Sequence, residues 1–506
     1  MAIIETVSNA FERYTSAETY KKIVDFDSVG SMWSHCLENY GSSAALTDGE
    51  LNYSFTELET AASHVRATLS ANGVKRGDCV AVYMQNSCSF VTAYLGIVTY
   101  GAVALLLPPQ LNEMAVFGCC YKYRAQMVLT TSQLAGNTAI AAQKLGVRAI
   151  LPEEYSTETV PCVECKASDP CVILFTGGTT GKSKGALLNN GAVMRGAKNG
   201  CYGYEDVFGQ KYLLVLPLTH VFGLIRNLMT SLYTGSCLFI CKNNKDMFRD
   251  IAMFRPTILV LVPALAEMAL NLSKQFGRNM LGDSLKYIIC GAATVAPYLV
   301  SEYEKFGITL FPGYGLTESA NLVSGNPESH SKPGSVGIPY DGQQLRVENG
   351  ELWLKGVNMM DGYLNDPEEN EAAYTDGWFR TGDLVRFDEE GFMYITGRIK
   401  EIIVLPSGEN ISPAELEALF NESDIIQDSL VYYSGKDSAL AVMVYPRAVM
   451  IGKKGITDVK QAINDEVNRI NGKLASFQRV NKIVIRDTDF VRSPSMKILR
   501  GQNGEE

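Results

Sequence analysis

The sequence predicts an α/β protein: a large N-terminal domain built mainly on parallel sheets with a small β-rich subdomain, then a small α+β C-terminal domain. Three observations predict it. Short apolar runs alternate with helical patterns up to about residue 395, and such alternation favours layered α/β architecture with buried parallel strands. Residues 333–396 turn to short strand-like runs separated by Gly and Asp, as in a β-rich subdomain. A boundary falls at Gly397-Arg398-Ile399-Lys400, giving expected domains 1–398 and 399–506. The second has an ordinary size for a small domain.

Along the chain, residues 80–84, 171–175, 213–217, 258–262, 285–290 and 308–311 are apolar runs expected to form buried strands. Residues 55–71 and 224–233 carry amphipathic helical spacing, the second ending at Gly235 as an expected C-cap. Past the boundary, Ser412 is the expected N-cap of a helix that starts at Pro413. Strands at 430–433 and 440–445, a helix over about 458–474 and a strand at 482–486 complete the second domain.

With 506 residues, the chain can bury a large core over two or more domains. Apolar residues at 46% and charged residues at 20% are ordinary for a globular protein. A net charge of −10 argues against nucleic acid or an anionic membrane as the main partner. The first residues lack a basic segment followed by an apolar run, and the most apolar stretch, 101–109, is too short to span a bilayer. A cytoplasmic protein without a membrane span is expected. Of twelve cysteines, Cys162 and Cys165 form a lone CxxC with no second pair nearby, and only four histidines exist. Reduced thiols are therefore expected in preference to a zinc site, with Cys171, Cys237 and Cys290 buried beside apolar runs.

The segment Thr176-Gly177-Gly178-Thr179-Thr180-Gly181-Lys182-Ser183-Lys184-Gly185 follows an expected strand. Its glycines allow close backbone approach to an anion, its hydroxyls donate, and Lys182 and Lys184 supply charge. A solvated turn is the alternative, disfavoured by this density of Gly, Thr and Lys. The end Gly181-Lys182-Ser183 resembles a P-loop NTPase, but that motif needs glycine at position 176, where threonine stands.

Further motifs follow in order: Pro217-Leu218-Thr219-His220-Val221-Phe222-Gly223, Gly313-Tyr314-Gly315-Leu316-Thr317-Glu318, Thr381-Gly382-Asp383, Gly397-Arg398-Ile399-Lys400-Glu401 and Ser493-Pro494-Ser495-Met496-Lys497. Singly each is weak; a histidine at a strand end or a TGD turn arises by chance. Their order and spacing, from about Leu51 to Arg500, resemble the adenylate-forming superfamily of acyl-CoA synthetases, adenylation domains and luciferases. The resemblance implies ATP, Mg²⁺ and coenzyme A as cofactors and co-substrates, and a small carboxylic acid as substrate.

It also implies roles. Thr176, Gly177, Gly178, Thr179, Thr180, Gly181 and Lys184 would hold the β- and γ-phosphates. Gly291, Ala292 and Gly315 would line the nucleotide and acyl pocket, and Tyr314 would stack on adenine. Thr317 would bind the α-phosphate and Glu318 would help hold Mg²⁺; Asp383 would bind the ribose hydroxyls, and Arg398 would contact ribose or phosphate near the hinge. Lys400 would be the hinge of a mobile C-terminal domain that brings Lys497 onto the reacting phosphate. His220 joins this set as a wall and gate of the acid pocket, since the chemistry needs no obligatory general base.

The sequence departs from the common pattern at Gly177, Ser183, Met496 and Pro312; the last puts one adenine contact in doubt. No acidic residue follows the His220 motif to hold an α-ammonium, so α-amino acids are disfavoured. Residues 223–229 with Phe222, Cys290, Ala292, Ala293 and Ala320 imply a mostly apolar acyl or aryl pocket. Arg226 either pairs with a polar group on the acid or faces solvent. Coenzyme A is the expected acceptor, with a carrier protein as the alternative. A non-catalytic nucleotide-binding protein is a third possibility, opposed by the presence of Lys497, Glu318 and Asp383.

Overall fold

The computed structural model describes residues 2–4, 10–176, 184–406, 409–492 and 498–503. Two sheets dominate the large domain. In one, Thr309–Tyr314, Tyr287–Cys290, Ile258–Leu261, Lys211–Leu214, Cys237–Ile240 and Ala44–Thr47 lie side by side and parallel, with short antiparallel strands at both edges. In the other, Pro170–Thr176, Val103–Leu106, Cys79–Tyr83, Met127–Thr130 and Arg148–Ile150 are parallel, and Lys184–Asn189 closes one side antiparallel. The strands read as continuous apolar runs because helices cover both faces of each sheet. Phe55–Ala71 forms the helix expected there, fixed at its start by a reciprocal Ser54–Glu57 capping box.

The β-rich subdomain is an antiparallel sheet in which Glu351–Gly356 lies between Gln343–Glu348 and Trp378–Phe387, and Met393–Arg398 pairs with the latter. It is less self-contained than its sequence range implies. Ile338–Pro339 joins the first large sheet and Gly362–Tyr363 the second. These crossings tie the subdomain to both parallel sheets and place Tyr363 beside the strand Lys184–Asn189.

Several local expectations are corrected. The run at 213–217 is strand only as Lys211–Leu214; Pro217 lacks an amide proton and the chain leaves the ladder before it. Residues 224–233 are not an amphipathic α-helix. A π-helix, Phe222–Met229, leads into a short α-helix, Thr230–Tyr233, and every side chain of the pair is buried. Ser412 precedes the helix Pro413–Asn421 but does not cap it; its hydroxyl donates to Thr396 O at 2.6 Å instead. Cys237 is half-buried at a strand start, while Cys171 and Cys290 are buried.

The C-terminal segment has its own core, with Leu416, Phe420, Val442, Ile463 and Val467 packed between its helices and a sheet of Ile426–Ser434, Ala439–Pro446 and Lys482–Ile485. It rests on the large domain through polar contacts. Arg447 forms an ion pair with Glu267, whose carboxylate also accepts from Tyr298 at 2.5 Å, and Lys453 donates to Lys274 O at 2.7 Å. No helix among the described residues is long and apolar enough to cross a membrane.

Candidate active site

The parallel strands Tyr287–Cys290 and Thr309–Tyr314 pair so that Cys290 lies opposite Pro312. Beyond these carboxyl ends the chain must turn, and both turns line one cavity, where Gly291, Ala292, Tyr314 and Gly315 meet. The crevice past the carboxyl ends of strands is the usual ligand position in open α/β sheets. The turns are sterically exacting. A Cβ on Gly315 would lie 1.0 Å from the Asn321 carbonyl oxygen, so no other residue fits. Ala292 holds the left-handed conformation at φ 66°, uncommon for a residue with a side chain.

A short 3₁₀ turn, Thr317–Ser319, follows and presents Thr317 and Glu318 to the cavity. The Glu318 carboxylate accepts from the Tyr363 hydroxyl at 2.6 Å. Lys184, at the start of its strand, sits 4.8 Å above the Tyr363 ring and is ion-paired with Glu369. Sequence reasoning did not single out Tyr363 and Glu369. Neither lies in a motif, and they reach the site only because Gly362–Tyr363 pairs with Lys184–Asn189.

Asp383, buried on the strand Trp378–Phe387, receives the Tyr314 hydroxyl at 2.5 Å and Arg398 Nε at 2.5 Å. Burial, then the neighbouring Asp383 charge, pushes the Tyr314 hydroxyl far above its ordinary range, so it stays a donor. Arg398 is the last residue of Met393–Arg398, and Lys400 lies in the 3₁₀ turn Ile399–Glu401 directly after it. Lys400 and Leu499 both border the cavity.

His220 forms part of the opposite wall, with its Nδ1 accepting the Phe222 amide at 3.3 Å. Burial holds its pKa below the ordinary histidine value, so the ring is neutral at physiological pH. That suits a wall of the acid pocket. The π-helix after it carries Arg226 into the same wall, away from solvent. The pocket is consequently less apolar than the sequence implies: Phe222, Ile289, Cys290 and Phe311 share it with Arg226, Tyr204 and Tyr340. Ala293 lines the adjoining interdomain cavity instead.

The structure thus brings Thr176, Lys184, His220, Gly291, Ala292, Tyr314, Gly315, Thr317, Glu318, Arg398 and Lys400 around one cavity. Asp383 lines the adjoining interdomain cavity, which shares Tyr314 and Arg398 with the first. Gly177, Gly178, Thr179, Thr180, Gly181 and Lys497 lie outside the described residues.

Glu267, at the interdomain cavity, leads to one prediction. Burial raises its pKa above the usual glutamate range, opposed by Arg447 and by the Tyr298 hydroxyl. Removing it leaves Arg447 without its partner carboxylate, which disfavours this arrangement of the domains. Glu267→Ala is expected to weaken the docking of the C-terminal segment on the large domain by about tenfold, equivalent to about 1.4 kcal/mol. Limited proteolysis between the two domains checks this, with urea unfolding as the control; an equal loss of global stability would show a general loss of fold.

Comparison with known proteins gives matching family models for both domains. The model described as AMP-binding enzyme matches residues 33–364, and that described as AMP-binding enzyme C-terminal domain matches residues 400–506. A probable CoA ligase from Humulus lupulus is 30% identical over 76% of this chain and 79% of its own length. A 4-coumarate–CoA ligase-like protein of Arabidopsis thaliana is 28% identical over 94% of this chain and 89% of its own. Among solved structures, an anthranilate CoA ligase in complex with anthranoyl-AMP superposes with a TM-score of 0.85 at 20% identity, over 94% of this chain and 97% of that one.

Proposed function

Because this chain belongs to the AMP-binding enzyme family, we infer that it is an AMP-forming acid–thiol ligase. It activates a carboxylic acid with ATP to an acyl-AMP, releases pyrophosphate, and passes the acyl group to coenzyme A. A carboxylate is a poor electrophile because its leaving group would be oxide; conversion to the mixed anhydride makes AMP the leaving group. The first step brings two anions together, so the site must present positive charge where they meet.

The observation that carries this reading is the convergence of Lys184, Thr317, Glu318 and the Tyr314–Asp383–Arg398 cluster on adjoining cavities, although they come from separate segments. In this proposal Asp383 takes the ribose hydroxyls, with Arg398 beside it. Thr317 meets the α-phosphate, and Lys184 with the glycine-rich loop takes the outer phosphates. Lys497 bridges carboxylate and α-phosphate. Two features support that last role: Leu499, two residues further on, borders the cavity, and the C-terminal segment is docked through Arg447 and Glu267.

Glu318 fits a Mg²⁺ ligand. It is a hard oxygen donor on the cavity wall, with Glu369 nearby across Tyr363, and Mg²⁺ usually takes one or two carboxylates plus substrate phosphates. Bound there, the cation would neutralise phosphate charge as it develops. Lys400, in the turn between the domains, is proposed as the hinge that lets the C-terminal domain withdraw Lys497 before the thiol attacks.

The test is incubation with ATP, Mg²⁺, coenzyme A and a mixed panel of carboxylic acids, with products read by mass spectrometry. Acyl-CoA with stoichiometric AMP is expected. AMP or bound acyl-AMP without acyl-CoA would replace coenzyme A by a carrier protein as acceptor. Release of ADP would overturn the adenylation reading.

A further inference from the structure

Resting on that ligase reading, we propose that the acid carries a second carboxylate, bound by Arg226 at the inner wall of the acyl pocket. Arg226 is only 1% exposed and lines the cavity that contains His220 and Thr317. Its Nη2 donates to the Tyr204 hydroxyl at 3.1 Å; Nη1 is buried and makes no hydrogen bond of good geometry, the Tyr212 hydroxyl being the neutral group that interacts with the guanidinium beside it. No ion pair reaches it among the described residues. The groups around it are the phenols of Tyr204, Tyr212 and Tyr340. Burial raises the Tyr212 and Tyr340 hydroxyls well above their ordinary values, so these two bring no negative charge at physiological pH.

A guanidinium keeps its proton in proteins. Arg226 is therefore a buried cation without a counter-ion among the described residues, an arrangement that is disfavoured unless an anion completes it. Two further features make the missing partner an acceptor on the substrate. The Tyr204 hydroxyl accepts from Arg226, which leaves its own proton to donate. Asn321 Nδ2, a buried donor on a residue of the same cavity wall, also has no partner. Both orphaned atoms are donors, so the wall calls for oxygen atoms. The uncompensated charge makes those oxygens anionic, since a planar guanidinium matches a carboxylate edge with two parallel hydrogen bonds.

The π-helix Phe222–Met229 fixes where this anion lies. His220, two residues before it, lines the cavity with Thr317, where the proposed adenylation takes place, and Arg226 lies six residues further along. The two ends of the acid are thus read by one buried element: one carboxylate is activated while the other is held back.

The experiment measures calorimetric binding of matched acids to the full-length protein, comparing linear dicarboxylates of three to eight carbons with the monocarboxylates and half-amides of equal length. Acid-dependent AMP formation is recorded on the same panel. At least one dicarboxylate is expected to bind about a hundredfold or more tightly than its monoacid and half-amide, because a site built for a polar group rejects the analogue lacking it. Arg226→Met should abolish that preference, and Arg226→Lys should retain part of it. If monoacids or half-amides bind as well as every diacid in the unmodified protein, the proposal is overturned, whatever the variants do. If a diacid binds with the expected preference but no acid yields AMP, the anion site stands and the ligase reading fails. Acyl-CoA from monoacids in preference to all diacids would keep the ligase and sink the second carboxylate.

Discussion

Lys497→Ala is expected to slow acyl-AMP formation by about a hundredfold or more, the scale of one lost transition-state contact to a developing charge. Thioester formation from supplied acyl-AMP should be spared. The asymmetry follows from the chemistry. The first half-reaction brings a carboxylate onto a polyphosphate and needs a cation between them; the second brings a thiol onto a neutral acyl carbon and needs the space that the lysine occupied. Single-turnover measurement of each half-reaction decides the matter. Equal losses in both would show that Lys497 serves the fold or the docking of the C-terminal domain. Glu267→Ala is the natural companion, since it acts on the same arrangement without removing the charge itself.

Asp383→Ala should have two effects that can be read apart. Its carboxylate holds the Tyr314 hydroxyl and the Arg398 guanidinium, each at 2.5 Å. Losing it leaves both donors unanswered, and breaking a buried pair in this way costs about 3 kcal/mol, the low end of the usual range because Arg398 keeps some contact with water. Urea unfolding without ligand reports that loss. Separately, AMP should no longer raise the melting temperature, because the proposed ribose contact is gone. Asp383→Asn should recover part of the stability but little of the AMP effect. Full AMP-dependent stabilisation of the alanine variant would confine Asp383 to holding Arg398 in place.

Six strands of the two parallel sheets were legible because buried strands are short apolar runs, whereas Ala44–Thr47, Val103–Leu106, Met127–Thr130, Arg148–Ile150 and Cys237–Ile240, three or four residues each, were not. Nor were the edges. Ser324–Gly325, Ile338–Pro339 and Gly362–Tyr363 are each two residues long, too short for any periodicity. They nevertheless fold the β-rich subdomain against the site. The π-helix was hidden for a different reason. Apolar residues at helical spacing fit an amphipathic helix and a fully buried one equally well, and only packing distinguishes them. That ambiguity left Arg226 undecided between solvent and pocket until the neighbouring elements were in place. Tyr314 and Asp383 were each found within motifs, but the hydrogen bond between them joins residues 69 positions apart. No local pattern reports such a bond.

The contact between Lys184 and Glu369 has a consequence for the form in which the nucleotide arrives. That lysine and glutamate neutralise each other beside Tyr363. A triphosphate that recruits Lys184 strips Glu369 of its counter-ion and leaves two carboxylates, Glu318 and Glu369, flanking one phenol. A bare polyanion entering that corner would meet rising repulsion. If Lys184 takes the outer phosphates as proposed, one escorted by a divalent cation would exchange charge for charge, and the site is expected to discriminate between free nucleotide and its metal complex at the threshold, before any bond is made.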